Sequence, residues 1–106
     1  MRALTPKQKQ DCLTVDPFAG DFGGPGDRTL RNQMVTARVP HAECSCCLGP
    51  IAVGERTRVQ IEFFDGSMQD YRWCSECCWA MARSWKDGGK AWGKREILRR
   101  LKGAVV

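Results

Sequence analysis

Apolar and polar side chains alternate along residues 58–63, where Val59, Ile61 and Phe63 are separated by Arg58, Gln60 and Glu62. A period of two is that of a strand, and it predicts that the Val-Ile-Phe face packs on a core while the Arg-Gln-Glu face meets water. Asp65-Gly66 follows, a dipeptide that accepts the positive φ angles of a type I′ turn, and Met68 to Trp73 returns with Tyr71 and Trp73 on one face. The two segments are expected to form a β-hairpin. From Ser75 the period changes. Cys78, Met81, Ala82 and Trp85 recur at spacings of three and four, the pattern of a helix with one buried face. Ser75 suits its N-cap, Glu76 its positive N-terminal end and Gly88-Gly89 its stop, so a helix is predicted over 75–86.

A second helix is predicted over 90–102. At about 100° per residue Ala91, Ile97, Leu98 and Leu101 share one side, interrupted by Lys94, while Arg95, Arg99 and Lys102 form a basic stripe beside Trp92. Toward the N-terminus, Thr5 and Pro6 supply an N-cap and a first helical residue for a short helix ending at Gln10 or Leu13. Residues 16–27 crowd Gly, Pro and Asp too densely for helix or sheet hydrogen bonding and read as an irregular arm, with Phe18 and Phe22 anchoring it. Leu30 to Met34 is read as helical and Met34 to Val39 as a strand. The expected organisation is a mostly irregular N-terminal arm, 1–33, and a compact domain, 34–106, that ends in the basic helix.

Two C-x-x-C pairs bracket the hairpin: Cys44 with Cys47, and Cys74 with Cys77, with 26 residues between the pairs. Each pair closes a small loop over one ion, and two pairs supply the tetrahedral all-thiolate set that suits Zn2+. Cys44, Cys47, Cys74 and Cys77 are therefore assigned as ligands of one structural zinc, against the alternative of disulfides or free core thiols. A structural metal also fits a chain with 42% hydrophobic residues, since small cores need a staple. Cys12, Cys46 and Cys78 are left over as small apolar side chains. Because Cys46 and Cys78 adjoin the chosen ligands, a shift by one residue is the competing assignment. His41, the single histidine, is read as a surface group or a hydrogen-bonding neighbour of the ligands, with replacement of a thiolate as the alternative. Seven cysteines, an odd number, argue against a secreted disulfide framework. With no apolar leader and no apolar run long enough to span a bilayer, a cytoplasmic location is expected.

The segment Cys-x-x-Cys-Leu-Gly-Pro-Ile-x-x-Gly-Glu from Cys44 to Glu55 resembles the zinc-knuckle opening of treble-clef zinc fingers. The resemblance implies a small α+β fold in which a knuckle gives two ligands, a β-hairpin follows, and the second Cys pair sits at the first turn of a helix, over Cys44 to about Lys86. Gly49 and Gly54 fall where that family has tight turns, although Leu48 stands where a glycine directly after the second Cys is commoner. The whole layout, from Arg-Thr-Leu-Arg through Val-Thr-Ala-Arg to Arg-Trp-Cys-Ser-Glu-Cys-Cys, also resembles small zinc-finger proteins encoded by bacteriophages and prophages. That likeness implies an accessory protein acting on host machinery inside a bacterial cell.

Charge then narrows the functional classes. The net charge is +5, and residues 79–106 alone carry eight basic against two acidic groups. Treble-clef nucleases place a histidine base on the hairpin and a histidine on a catalytic metal, and residues 47–106 contain none. Four thiolates leave a zinc no open position, and no βαβ pattern supports a thioredoxin-type dithiol, so a non-enzyme is expected. Two binding readings follow. In the first, Arg83, Lys86, Lys90, Trp92, Arg95, Arg99 and Lys102 contact a nucleic-acid backbone. In the second, the zinc domain binds a host protein complex as inhibitor or adaptor. The bland reading of the stripe is a solvated face.

Overall fold

The register of the β-hairpin decides which face of the sheet lies inside. The computed structural model describes residues 2–15, 28–64 and 66–104; the side chains of residue 64 and of 102–104 are outside the description. Strands β1 (Arg28–Thr36), β2 (Arg56–Phe64) and β3 (Ser67–Trp73) form an antiparallel sheet in that order. Helices α1 (Pro6–Thr14), α2 (Ser75–Asp87) and α3 (Lys90–Ala104) complete a small α+β fold. Arg58 pairs with Trp73 and Gln60 with Tyr71, so these four side chains share one face. The helices cover that face: Arg58 Nη1 donates to the Cys12 carbonyl of α1 at 2.8 Å and approaches Met81 Sδ of α2 at 3.4 Å.

The period of two along β2 is therefore as expected, and Val59 is buried as expected, but the face turned to the helices is the polar one. Arg58 and Glu62 are each 1% exposed and Gln60 is buried, whereas Ile61 and Phe63 are only half-buried. The aromatic residues of β3 explain the reversal, because the register that buries Trp73 sets Arg58 and Gln60 beside it. The polar groups then satisfy one another. Arg58 Nε donates to Asn32 Oδ1 at 2.9 Å, Arg58 Nη2 donates to Gln60 Oε1 at 3.0 Å, and Gln60 Nε2 donates to Glu62 Oε1. Thr29 Oγ1 donates to the same Glu62 oxygen at 2.9 Å, and the Arg58 guanidinium sits 5.2 Å from the Trp73 ring centre. Among the described residues Glu62 Oε2, which is buried, finds no hydrogen-bond partner.

β1 corrects the reading of its segment. Leu30 to Met34 is strand, not helix, and the strand ends at Thr36 rather than Val39. Pairing from Arg28 opposite Phe63 to Thr36 opposite Arg56 overrides a weak local pattern, so residues 28–33, assigned to the arm, belong to the sheet. The arm itself, with Phe18 and Phe22, lies outside the described residues, as does Asp65 of the hairpin turn. α1 begins as expected: Thr5 Oγ1 accepts from Gln8 N at 3.1 Å, and Gln8 Oε1 accepts from Thr5 N at 2.9 Å. The helix runs on to Thr14 and packs Cys12 against Met81, with their sulfurs 3.6 Å apart. Because this covering helix stops there, Trp85, expected on the buried face of α2, is 67% exposed and donates from Nε1 to Thr14 Oγ1 at 3.2 Å.

α2 ends at Gly88 and Gly89, both left-handed at φ 67° and 88°. Asp87 accepts from Gly89 N at 2.9 Å and from Ala91 N at 3.2 Å, so one carboxylate closes α2 and caps α3. The turn brings α3 back over the Cys pairs with Arg95 inward. Ile97 and Leu101, expected on its buried side, are 51% and 58% exposed, and Leu98 is exposed with them. Among the described residues no helix is long and apolar enough to cross a membrane.

Candidate metal centre

Both Cys pairs sit where backbone N–H groups converge. Cys44 to Cys47 form a tight turn in which Cys44 N donates to Gly49 O at 2.7 Å and Leu48 N to Cys44 O at 3.0 Å. Leu48 closes it at φ 61°, a left-handed conformation that costs a residue with a Cβ about 1–2 kcal/mol. The left-handed residue thus stands directly after the second cysteine of the first pair. Cys74 is the N-cap of α2 and Cys77 lies in its first turn, so the second pair is set at the positive end of the helix. Ser75, expected as the cap, is instead the first helical residue.

The Cys74 side chain makes no capping hydrogen bond, and the buried Glu55 does that work from another part of the chain. Glu55 Oε2 accepts from Ser75 N at 2.7 Å and from Ser75 Oγ at 2.9 Å, while Oε1 accepts from Ala52 N at 3.0 Å. Burial opposes ionisation of this carboxyl, but the Ser75 and Ala52 amides outweigh it and hold its pKa below the usual value. Glu55 ties the segment after the first Cys pair to the helix that carries the second. Its only signal in the sequence was its place in the Gly-Glu step of the knuckle pattern.

The four sulfurs of Cys44, Cys47, Cys74 and Cys77 lie within 4.8 Å of one another, and all four residues are buried. Cys44 Sγ is 3.6 Å from Cys77 Sγ and Cys47 Sγ is 3.8 Å from Cys74 Sγ. A tetrahedron with metal–sulfur bonds of about 2.3 Å has edges of about 3.8 Å, so the group fits one ion. All seven cysteines are free, and the disulfide alternative finds no pair. Cys46, Cys78 and His41 are not members of the cluster. Cys78 Sγ lies against the Trp73 carbonyl at 3.6 Å, and His41 exchanges backbone hydrogen bonds with Ile51 at 2.9 Å.

Donors surround these sulfurs. Cys46 N reaches Cys44 Sγ at 3.4 Å, Cys74 N reaches it at 3.3 Å, and Gly49 N reaches Cys47 Sγ at 3.4 Å. Arg95 closes the site from α3: Nε is 3.4 Å from Cys77 Sγ, and Nη2 is 3.3 Å from Cys47 Sγ and 3.8 Å from Cys74 Sγ. Burial opposes ionisation of Cys47, but the Gly49 amide and Arg95 lower its pKa to about 7. Cys44 is drawn down by its hydrogen bond with Cys74, yet Cys77 and burial push it up to about 12; Cys74 rises to about 12 through Cys44 and burial. Four crowded sulfurs cannot all carry charge without a cation among them. The donor set and its crowding fit a soft divalent ion.

The basic residues are not gathered on one face. Arg95 is half-buried on the sulfurs, and Arg99 Nη1 donates to Ser45 O at 2.9 Å. Trp92 packs against the core. Arg83 lies over the Trp79 ring at 5.2 Å and pairs with Asp87 at 3.7 Å, and with the exposed Lys86 it lines a cleft against α1. Lys90 is exposed at the start of α3, and the Lys102 side chain lies outside the description. No family model matches the chain, and neither a curated protein nor a solved structure matches it.

Proposed function

We propose that the four thiolates hold one structural Zn2+ in a treble-clef-like arrangement, and that the chain is a non-enzymatic module binding nucleic acid through α3 and the knuckle. The sulfur geometry carries the metal part: four buried Sγ atoms within 4.8 Å, at the edge lengths of a thiolate tetrahedron. The order of knuckle, β2–β3 hairpin and Cys-bearing helix supports the treble-clef comparison. When bound, the ion supplies charge neutralisation and a cross-link between two distant turns, and four thiolates fill its coordination, which favours a binding role over catalysis. The exposed Lys90, Lys94, Arg99 and Arg100 give α3 positive charge suited to phosphates.

One observation favours a second reading, an adaptor or inhibitor docking on an acidic protein. Ile97, Leu98 and Leu101 form an outward apolar stripe on α3, a surface suited to a protein partner and compatible with the likeness to phage-encoded accessory proteins acting on host complexes. Metal analysis of protein purified without chelator, with binding of mixed-sequence oligonucleotides followed across salt, tests the primary reading. One Zn2+ per chain and a log–log fall of affinity with salt are expected. Metal-free folded protein, or indifference to every oligonucleotide, would overturn it.

A further inference from the structure

We infer that the groove between α3, the knuckle and β3 is a site for an unpaired nucleobase and its phosphate, so that the nucleic acid recognised is single-stranded. This rests on the nucleic-acid reading and narrows it. The groove has a volume of about 570 Å³, within the range of small-ligand sites, and is lined by Tyr71, Trp73, Trp92, Glu96, Arg99 and Arg100. Three aromatic rings in one concavity are unusual for a solvated basic face, since large rings contribute most when buried or stacked. Two of them already form a stack: Tyr71 and Trp73 lie 5.9 Å apart at 13°, with Trp73 buried beneath. Such a stack, joined by the half-buried Trp92 across the groove, is a sequence-tolerant platform for a planar base.

Charge selects among planar or cationic occupants. Arg99 and Arg100 face a single acid, Glu96, so the groove is net positive and disfavours an ammonium ligand, which aromatic sites otherwise attract. Glu96 and Arg100 are one helical turn apart in the order that favours pairing, yet they form none of the ion pairs among the described residues. Arg100 is then placed for a phosphate, and Glu96 accepts from an exocyclic amino group, as carboxylates do from cytosine N4. Arg99 is fixed by its bond to Ser45 O, so this wall is held by the knuckle. A duplex hides its base faces from such a groove, because each is covered by its stacked neighbours. The apolar stripe of Ile97, Leu98 and Leu101 is on the other side of the helix and plays no part here.

The test uses the zinc-loaded full chain and fluorescein-labelled twelve-residue oligo(C), with oligo(U) and a mixed-sequence duplex of the same length as competitors. Oligo(C) is expected to quench tryptophan emission, to bind about tenfold tighter than the duplex and about fivefold tighter than oligo(U). Glu96→Gln should erase the preference for C over U, and Arg100→Gln should lower the salt slope by about 0.7; both positions are exposed, so the fold is kept. Trp92→Ala should weaken binding about tenfold and Trp92→Phe much less. A duplex that competes as well as the single strand, or exposed-site variants indistinguishable from the parent, would overturn the groove while leaving nucleic-acid binding standing. Failure of every oligonucleotide to bind would overturn both.

Discussion

Arg95 is the residue whose role changes most between sequence and structure, from a group offered to a partner to a group resting on three sulfurs. Four thiolates around a divalent ion carry a net double negative charge, and a half-buried guanidinium with N–H groups aimed at them offsets it. Arg95→Gln should therefore weaken Zn2+ binding about tenfold in competition with a chromophoric chelator, with unchanged circular dichroism at saturating metal. Arg95→Lys should restore little, because an ammonium cannot span the sulfurs as a planar fork does. Equal affinity in all three proteins would refute this role. The thiol pKa values carry a second expectation. With Cys44 and Cys74 held near 12, Cys77 higher and Cys47 near 7, the metal-free site is mostly protonated at neutral pH. Binding must expel between about three and four protons per ion at pH 7, so affinity rises with pH. Calorimetry in buffers of different ionisation enthalpy counts them, and a release near zero would contradict the thiol assignment.

At the scale of elements, the network along β2 is the most demanding feature of the fold. Arg58 satisfies the Cys12 carbonyl, Asn32 Oδ1 and Gln60 Oε1 at once, and its bonds to Cys12 and Gln60 are buried while Asn32 is exposed. Arg58→Met would keep much of the volume and strand two buried acceptors, the Cys12 carbonyl and Gln60 Oε1, at a cost of about 2–3 kcal/mol in denaturant unfolding of the metal-loaded protein. A loss under about 1 kcal/mol would mean that water reaches the site. This is also where the sequence was least legible. Alternation identified β2, Thr5 and Pro6 marked α1, and the spacing of Cys78, Met81 and Ala82 marked α2, because each signal is local. Which face of β2 turns inward depends on its register with Trp73, a pairing fifteen positions away along the chain that hydropathy reads the wrong way round. β1 had no pattern of its own and is strand because β2 pairs with it. The four clustered cysteines were legible because a C-x-x-C pair is a local motif, whereas Glu55 and Arg95 reach the cluster from other segments and have no spacing to betray them.

Across the whole molecule, the orientation of α3 matters more than its existence. A wheel finds the helix and its two stripes but cannot say which one the sulfurs will claim. The sulfurs take Arg95, the Ser45 carbonyl takes Arg99, and the apolar stripe is left facing solvent. Arg95 on the Cys cluster and Arg99 on the Ser45 carbonyl make the helix and the centre one mechanical unit, and coupling between two sites is reciprocal. On the proposed reading a molecule that loses its ion also loses the seat of α3, so the surface proposed for binding depends on the loaded state. A partner docking there would raise the affinity for the ion by the same factor by which the ion raises the affinity for the partner. The knuckle would in this sense be a lock with two keys, with metal supply one of the inputs that set how much of the proposed partner is bound.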